Sequence, residues 1–266
     1  MNAMTKGTLA TVTLLASVLL GGMSVSAAEE ETPKPTPETK LDSKGKTIVE
    51  EGVIGPEDPT PDPEKPDENL PENPDISVNP DSGSLVLQRV SVMNFGTIKT
   101  SGSEIKANAA PITLSEGETR GAIVGWSDVR SGGTYGYTIT AELTKQFTGV
   151  TPDTSNALTG ATLNYTNGMA VPAASNENVV PSNVATAFEL DKDSGAKTVV
   201  TADKAKLEGK GSYVMEFGQS DKYTGTDGTK GTDKTAVTLT VPATVASNMV
   251  LDTYNAVVTW KIVAAV

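Results

Sequence analysis

Across roughly the last two thirds of the chain, hydrophobic and polar positions alternate with a period of two. In the final run Tyr254, Ala256, Val258, Trp260, Ile262 and Ala264 share one phase and are all apolar, so a strand built from them has one continuously hydrophobic face. Tyr135, Tyr137, Ile139, Ala141 and Leu143 alternate in the same way with Thr134, Gly136, Thr138, Thr140 and Glu142. Tyr213, Met215 and Phe217 alternate with Val214 and Glu216, and Val237, Leu239 and Val241 with Thr238 and Thr240. Further strands are predicted around 85–95, 122–126, 161–165, 184–190 and 198–200, with turn-rich stretches at 131–133 and 225–231 between them. No helical period runs through this region. The pattern predicts an all-β fold, an antiparallel β-sandwich over residues 84–266.

Upstream the pattern changes twice. Lys6, the apolar stretch 9–20 and the small-residue site Val25-Ser26-Ala27 have the form of a secretory signal peptide over residues 1–27. The apolar run is shorter than the ~20 residues a membrane span needs, so the expectation is cleavage and no span in the mature chain. Residues 28–83 carry no aromatic side chain and hold eleven of the sixteen prolines. Between Glu29 and Gly83 sixteen acidic and five basic residues give a net charge of −11, against −2 for 84–266. Such a composition predicts a disordered, extended acidic linker, either a spacer or a solubilising tail. The acidity therefore belongs to the linker. A nearly neutral domain is poorly suited to electrostatic capture of nucleic acid or anionic polymers.

Absent residue types narrow the chemistry further. The chain has no cysteine and no histidine. That excludes a disulfide framework, an acylated N-terminal cysteine and Cys/His zinc sites. It also removes the Ser-His-Asp and Cys-His nucleophile–base pairs. No carboxylate dyad or phosphate loop is recognisable, so neither catalysis nor a cofactor is expected. The loop 221–234, with Asp221, Asp227 and Asp233, lacks the ligand spacing of a calcium loop and is read as a solvated hairpin loop.

Several short blocks carry a resemblance. The C-terminal Tyr254…Val258-Thr259-Trp260-Lys261-Ile262 resembles the closing motif of the WxL surface domains of Gram-positive bacteria, with Ile262 in the Leu place. Met93-Asn94-Phe95-Gly96-Thr97 resembles that family's L-x-F-G element, and Asp128-Val129-Arg130-Ser131-Gly132 its D-x-R-G turn. Gly136-Tyr137-Thr138-Ile139 sits where the first W-x-L lies, with Tyr137 and Ile139 replacing Trp and Leu. The blocks Leu158–Leu163 and Leu239–Ala243, and an acidic Pro-Asp-Pro linker after a signal peptide, complete the likeness.

The resemblance implies a secreted protein at the cell wall or cell surface, attached non-covalently to peptidoglycan by its C-terminal domain. No sortase-type L-P-x-T-G signal and no C-terminal apolar helix offers a covalent or membrane route. It also implies, as the alternative, a structural subunit of a surface complex tethered by other family members or a membrane-anchored protein, for instance through strand pairing at a sheet edge. For the motif residues Tyr137, Ile139, Trp260 and Ile262, the shared apolar phase predicts a core role and places the binding surface elsewhere. Asp128 and Arg130 fit either a turn or a contact with muropeptide groups, turn chemistry being the commoner use. Trp126, with Val124 two positions before it and polar Asp128 two after, is placed at the edge of the core, open to sugar stacking or a protein contact.

Overall fold

The computed structural model describes residues 42–151 and 156–265. The expected signal peptide and residues 28–41 of the expected linker lie outside these. Residues 42–47 are exposed and outside any strand, and a compact unit runs over Ile48–Val266.

Among the described residues, seventeen strands and three single-turn helical segments build this unit. The first six are β1 (Pro61–Asp62), β2 (Lys65–Asn69), β3 (Ile76–Val78), β4 (Leu85–Ser91), β5 (Ile105–Asn108) and β6 (Ile112–Thr113). They are followed by β7 (Thr119–Arg120), β8 (Ala122–Asp128), β9 (Tyr137–Gly149), β10 (Thr162–Tyr165), β11 (Gly168–Pro172) and β12 (Asn183–Val184). The last are β13 (Phe188–Leu190), β14 (Lys197–Ala202), β15 (Gly211–Phe217), β16 (Val237–Val241) and β17 (Tyr254–Ala264). All paired strands are antiparallel. A five-stranded sheet has the order β11-β15-β8-β4-β3, and two four-stranded sheets the orders β12-β14-β9-β17 and β13-β10-β16-β5. β1–β2 and β6–β7 are two-stranded ribbons.

One core joins the three large sheets, as alternation requires. Ile139, Ala141 and Leu143 of β9, Leu163 and Tyr165 of β10, Met215 and Phe217 of β15, and Leu239 and Val241 of β16 are all buried in it. The outward positions of β9, β10 and β16 are threonine, asparagine and glutamate, apart from those of the irregular end of β9. This is the sandwich-like all-β architecture the period predicts.

The five-stranded sheet is buried on both faces, and here the structure departs from the expected boundary. A second, smaller apolar cluster of Leu70, Ile76, Ile112, Leu114, Ile123 and Val214 sits on its outer face. Ile123 and Val214 occupy the phase opposite to the main core, so β8 and β15 are apolar on both sides. What covers them is the Pro-rich segment itself. Thr60 is fully buried above Gly125, where a Cβ would come within 2.8 Å of the Thr60 methyl. The compact unit thus starts at Ile48, inside the segment read from composition as linker, and not at residue 84.

Polar groups fasten this strap. Arg120, 1% exposed, donates to both carboxylate oxygens of Asp62 at 2.7 and 2.6 Å. Glu64 lies 3.6 Å from the same guanidinium and accepts from the Ser220 hydroxyl at 2.6 Å. Arg89 Nε donates to Thr60 Oγ1 at 2.9 Å. Burial alone would depress the Arg120 pKa, but the Asp62 hydrogen bond and the surrounding carboxylates outweigh it and hold the net shift upward.

Beneath the strap Glu216 is fully buried. Its Oε1 accepts from the Gly121 amide at 3.0 Å, while Oε2 has no partner. Desolvation, then the nearby Glu64 charge, pushes its pKa well above the ordinary 4.5. A carboxyl whose folded pKa is raised contributes fully at low pH and loses that contribution as pH climbs from 4.5 towards the folded value. Glu216→Gln is therefore expected to flatten the pH dependence of unfolding above that point, by up to about 1 kcal/mol per pH unit. Denaturant titrations of both proteins at several pH values would check this; parallel curves would contradict it.

Candidate functional site

The two motif segments are brought face to face in one sheet. β9 and β17 pair so that Ile139 stands opposite Ile262, Ala141 opposite Trp260 and Tyr137 opposite Ala264. β9 is an inner strand and β17 an edge strand. Accordingly Tyr137 and Ile139 are wholly buried, whereas Trp260 and Ile262 are half-buried. The Trp260 ring meets Tyr165 and Phe188 edge-on, each at 6.2 Å between centroids, and lies tilted over Phe217 at 6.4 Å. One side of the indole is thus core and the other is accessible.

Trp126 is not at the edge of the core, as its neighbours suggest, but at its centre with no exposed surface. It stacks on its cross-strand neighbour Tyr213 at 5.5 Å and 17°, and its Nε1 donates to the Tyr137 hydroxyl at 2.5 Å. Burial, only partly offset by that bond, raises the Tyr137 pKa, so the phenol stays neutral. The indole N–H and the phenol satisfy each other inside the sandwich. Sugar stacking on Trp126 is excluded by this burial.

Asp128 and Arg130 close the turn before β9. Arg130 donates to both Asp128 oxygens at 2.9 and 2.7 Å and to the Gly136 carbonyl at 3.0 Å. Lys210 adds a 3.2 Å bond to Asp128 Oδ1 and a 2.7 Å bond to the Arg130 carbonyl. The hydrogen bond to Asp128 leads in raising the Arg130 pKa. The carboxylate is 1% exposed and occupied on both oxygens. This pair staples a turn and offers nothing to a ligand.

In the 221–234 loop Asp221 faces Lys234 at 3.3 Å, and Asp233 accepts from Thr119 Oγ1 at 2.6 Å. Among the described residues no group of acidic side chains is arranged to hold a metal ion, and no helix is long and apolar enough to cross a membrane.

The accessible side of Trp260 opens on a groove of about 250 Å³ between β17 and the β3–β4 edge of the five-stranded sheet. Leu87, Val90, Val258 and Trp260 supply its apolar lining, and Ser77 and Asn79 its polar rim. Asn79 holds the rim in place, its amide N–H bonding the Gln88 carbonyl and its side chain the Leu87 carbonyl, both at 2.8 Å. The groove depends on Ile76–Val78 pairing with β4. Sequence reasoning missed it because those residues were assigned to the linker. The signal that could have found it is the Ile76-Ser77-Val78 triplet, an apolar–polar–apolar alternation at the end of an otherwise strand-free segment.

A family model for the WxL domain, described as surface and cell wall-binding, matches residues 36–265. No curated protein and no solved structure matches the chain. The family match begins before the strap and ends one residue past β17. With nearly the whole sequence covered and both motif segments paired in one sheet, the chain belongs to the WxL-domain family of surface cell wall-binding proteins.

Proposed function

We propose that this protein is a secreted surface protein held non-covalently on the peptidoglycan of a Gram-positive wall, acting by binding and not by catalysis. The observation that carries the reading is the half-buried Trp260 on the wall of an open groove. The other motif aromatic, Tyr137, is sealed in the core. An indole face beside Leu87 and Val258 suits the apolar face of a sugar ring or an N-acetyl group, and the Ser77–Asn79 rim suits its hydroxyl and amide groups. The compact unit is acidic, because residues 48–83 add eleven acidic and one basic side chain to the −2 of residues 84–266, so it would not capture an anionic wall polymer by charge, and attachment would rest on these contacts and tolerate salt.

The test is co-sedimentation of the purified protein with sacculi stripped of proteins and teichoic acids. Saturable pelleting that persists in moderate salt is the expected result. Val78→Asp, at a 42% exposed position on the groove lip, is expected to weaken it about tenfold with no loss of fold. Absence of pelleting by the folded protein would sink direct attachment and favour a subunit tethered by a protein partner.

A further inference from the structure

The last strand carries a second interface besides its groove. Ala265 N donates to the Gly136 carbonyl at 3.0 Å, and the register from Val258 to Ala264 continues from there without a shift. Hydrogen bonding to a neighbouring strand uses alternate residues of an antiparallel pair. Thr259, Lys261 and Val263 therefore turn their backbone groups towards β9. Val258, Trp260, Ile262 and Ala264 turn theirs towards the free edge, where no strand is paired among the described residues. The two irregularities on either side of Val257 are extra residues in β9, which passes from Thr148 to Lys145 against Asn255–Val257 and from Lys145 to Leu143 against Val257–Val258, so β17 itself stays regular.

This edge has little to keep another strand away. Tyr254–Ala264 contains a single charge, Lys261, and no proline, whereas protected edges carry several such features. Its sequence is also near-palindromic about Trp260: Val258 mirrors Ile262, Val257 mirrors Val263, and Ala256 mirrors Ala264. Val257 and Val263 are the exposed apolar pair of the strand, at 46% and 47%. A two-fold axis through the Trp260 backbone would set each Val257 against Val263 of a second copy, Val258 against Ile262, and Lys261 against Thr259. No like charges would meet.

We infer that the free edge of β17 pairs antiparallel with the β17 of a second copy about Trp260, forming a symmetric dimer with one continuous eight-stranded sheet. Val258, Trp260 and Ile262 of the two copies would exchange on the order of six backbone hydrogen bonds. Because paired residues share a face, both tryptophans would then line one joined groove. Dimerisation does not depend on wall binding, and its readout contains no wall material.

Sedimentation equilibrium of the purified protein across micromolar concentrations tests it. The expected result is a mass rising from one chain to two. Val257→Lys with Val263→Lys changes only exposed positions and puts like charges opposite each other twice, so association should weaken at least about tenfold. Val257→Lys with Val263→Glu puts opposite charges there and should restore association in a salt-sensitive way. A wild-type mass fixed at one chain, or a dimer indifferent to the double lysine variant, overturns the interface. A charge-swapped protein no better than the double lysine variant overturns the register about Trp260.

Discussion

Replacing Arg120 by alanine is expected to lower the unfolding free energy by about 3–5 kcal/mol, because it leaves Asp62 and Glu64 buried without their cation. Asp62 is 3% exposed, and the bidentate bond is its only cationic contact among the described residues. The damage should spread through the strap. Residues 56–70 ought to become the first site of proteolysis, since their hold on the outer face of the five-stranded sheet passes through this cluster and through Arg89. Denaturant unfolding gives the energy and limited proteolysis the location. Removing both charges, with Arg120→Met and Asp62→Asn, should cost less than the single replacement, because no fully uncompensated charge is left at Asp62. A protein that loses Arg120 with under 1 kcal/mol of change would mean that the strap is a loosely attached tail after all.

The second large effect is at Trp126. Trp126→Ala removes the most voluminous fully buried side chain, and about 3–5 kcal/mol should go with it. Tyr137→Phe is a finer probe: it strips the acceptor from the indole N–H and keeps the ring, at an expected cost of about 1–3 kcal/mol. The two replacements should be strongly non-additive, since once Trp126 is gone the Tyr137 hydroxyl has lost its donor already. Neither should alter wall binding per folded molecule. A Trp126→Ala protein of unchanged stability but impaired binding would restore the surface reading and contradict the burial described above.

These two sites also mark where the sequence is readable and where it is not. The strands β9, β15, β16 and β17 were legible because each presents a strict apolar phase to a single core, and a period of two has little other physical meaning. The strap was not legible, because composition measures whether a segment can bury itself. Residues 48–83 do not bury themselves; only Thr60–Pro63, Leu70 and Ile76 are buried, against a sheet whose outer face carries Ile123, Val214, Arg89 and Arg120. The clue lay in β8 and β15, whose second phase is not polar throughout: Ile123 and Val214 needed a cover. Trp126 was misplaced for a related reason. Asp128, two residues on, marks a strand end at the surface by its chemistry, yet Arg130 and Lys210 neutralise it and let it be buried. Phase assigns Trp260 to the core and the binding surface to another place, but phase does not reveal that β17 is an edge strand, where Trp260 is only partly buried. Sheet order decides that, and it leaves one side of the indole open.

In the proposed function, the wall is met on the open side of Trp260. The chain has two tryptophans, one sealed and one partly exposed, so fluorine NMR of fluorotryptophan-labelled protein reads both at once. On titration with soluble, enzymatically released peptidoglycan fragments, the Trp260 resonance is expected to shift saturably while the Trp126 resonance stays in place. Pelleting on sacculi with no movement of the Trp260 resonance would contradict the groove and place the contact on another face of the domain.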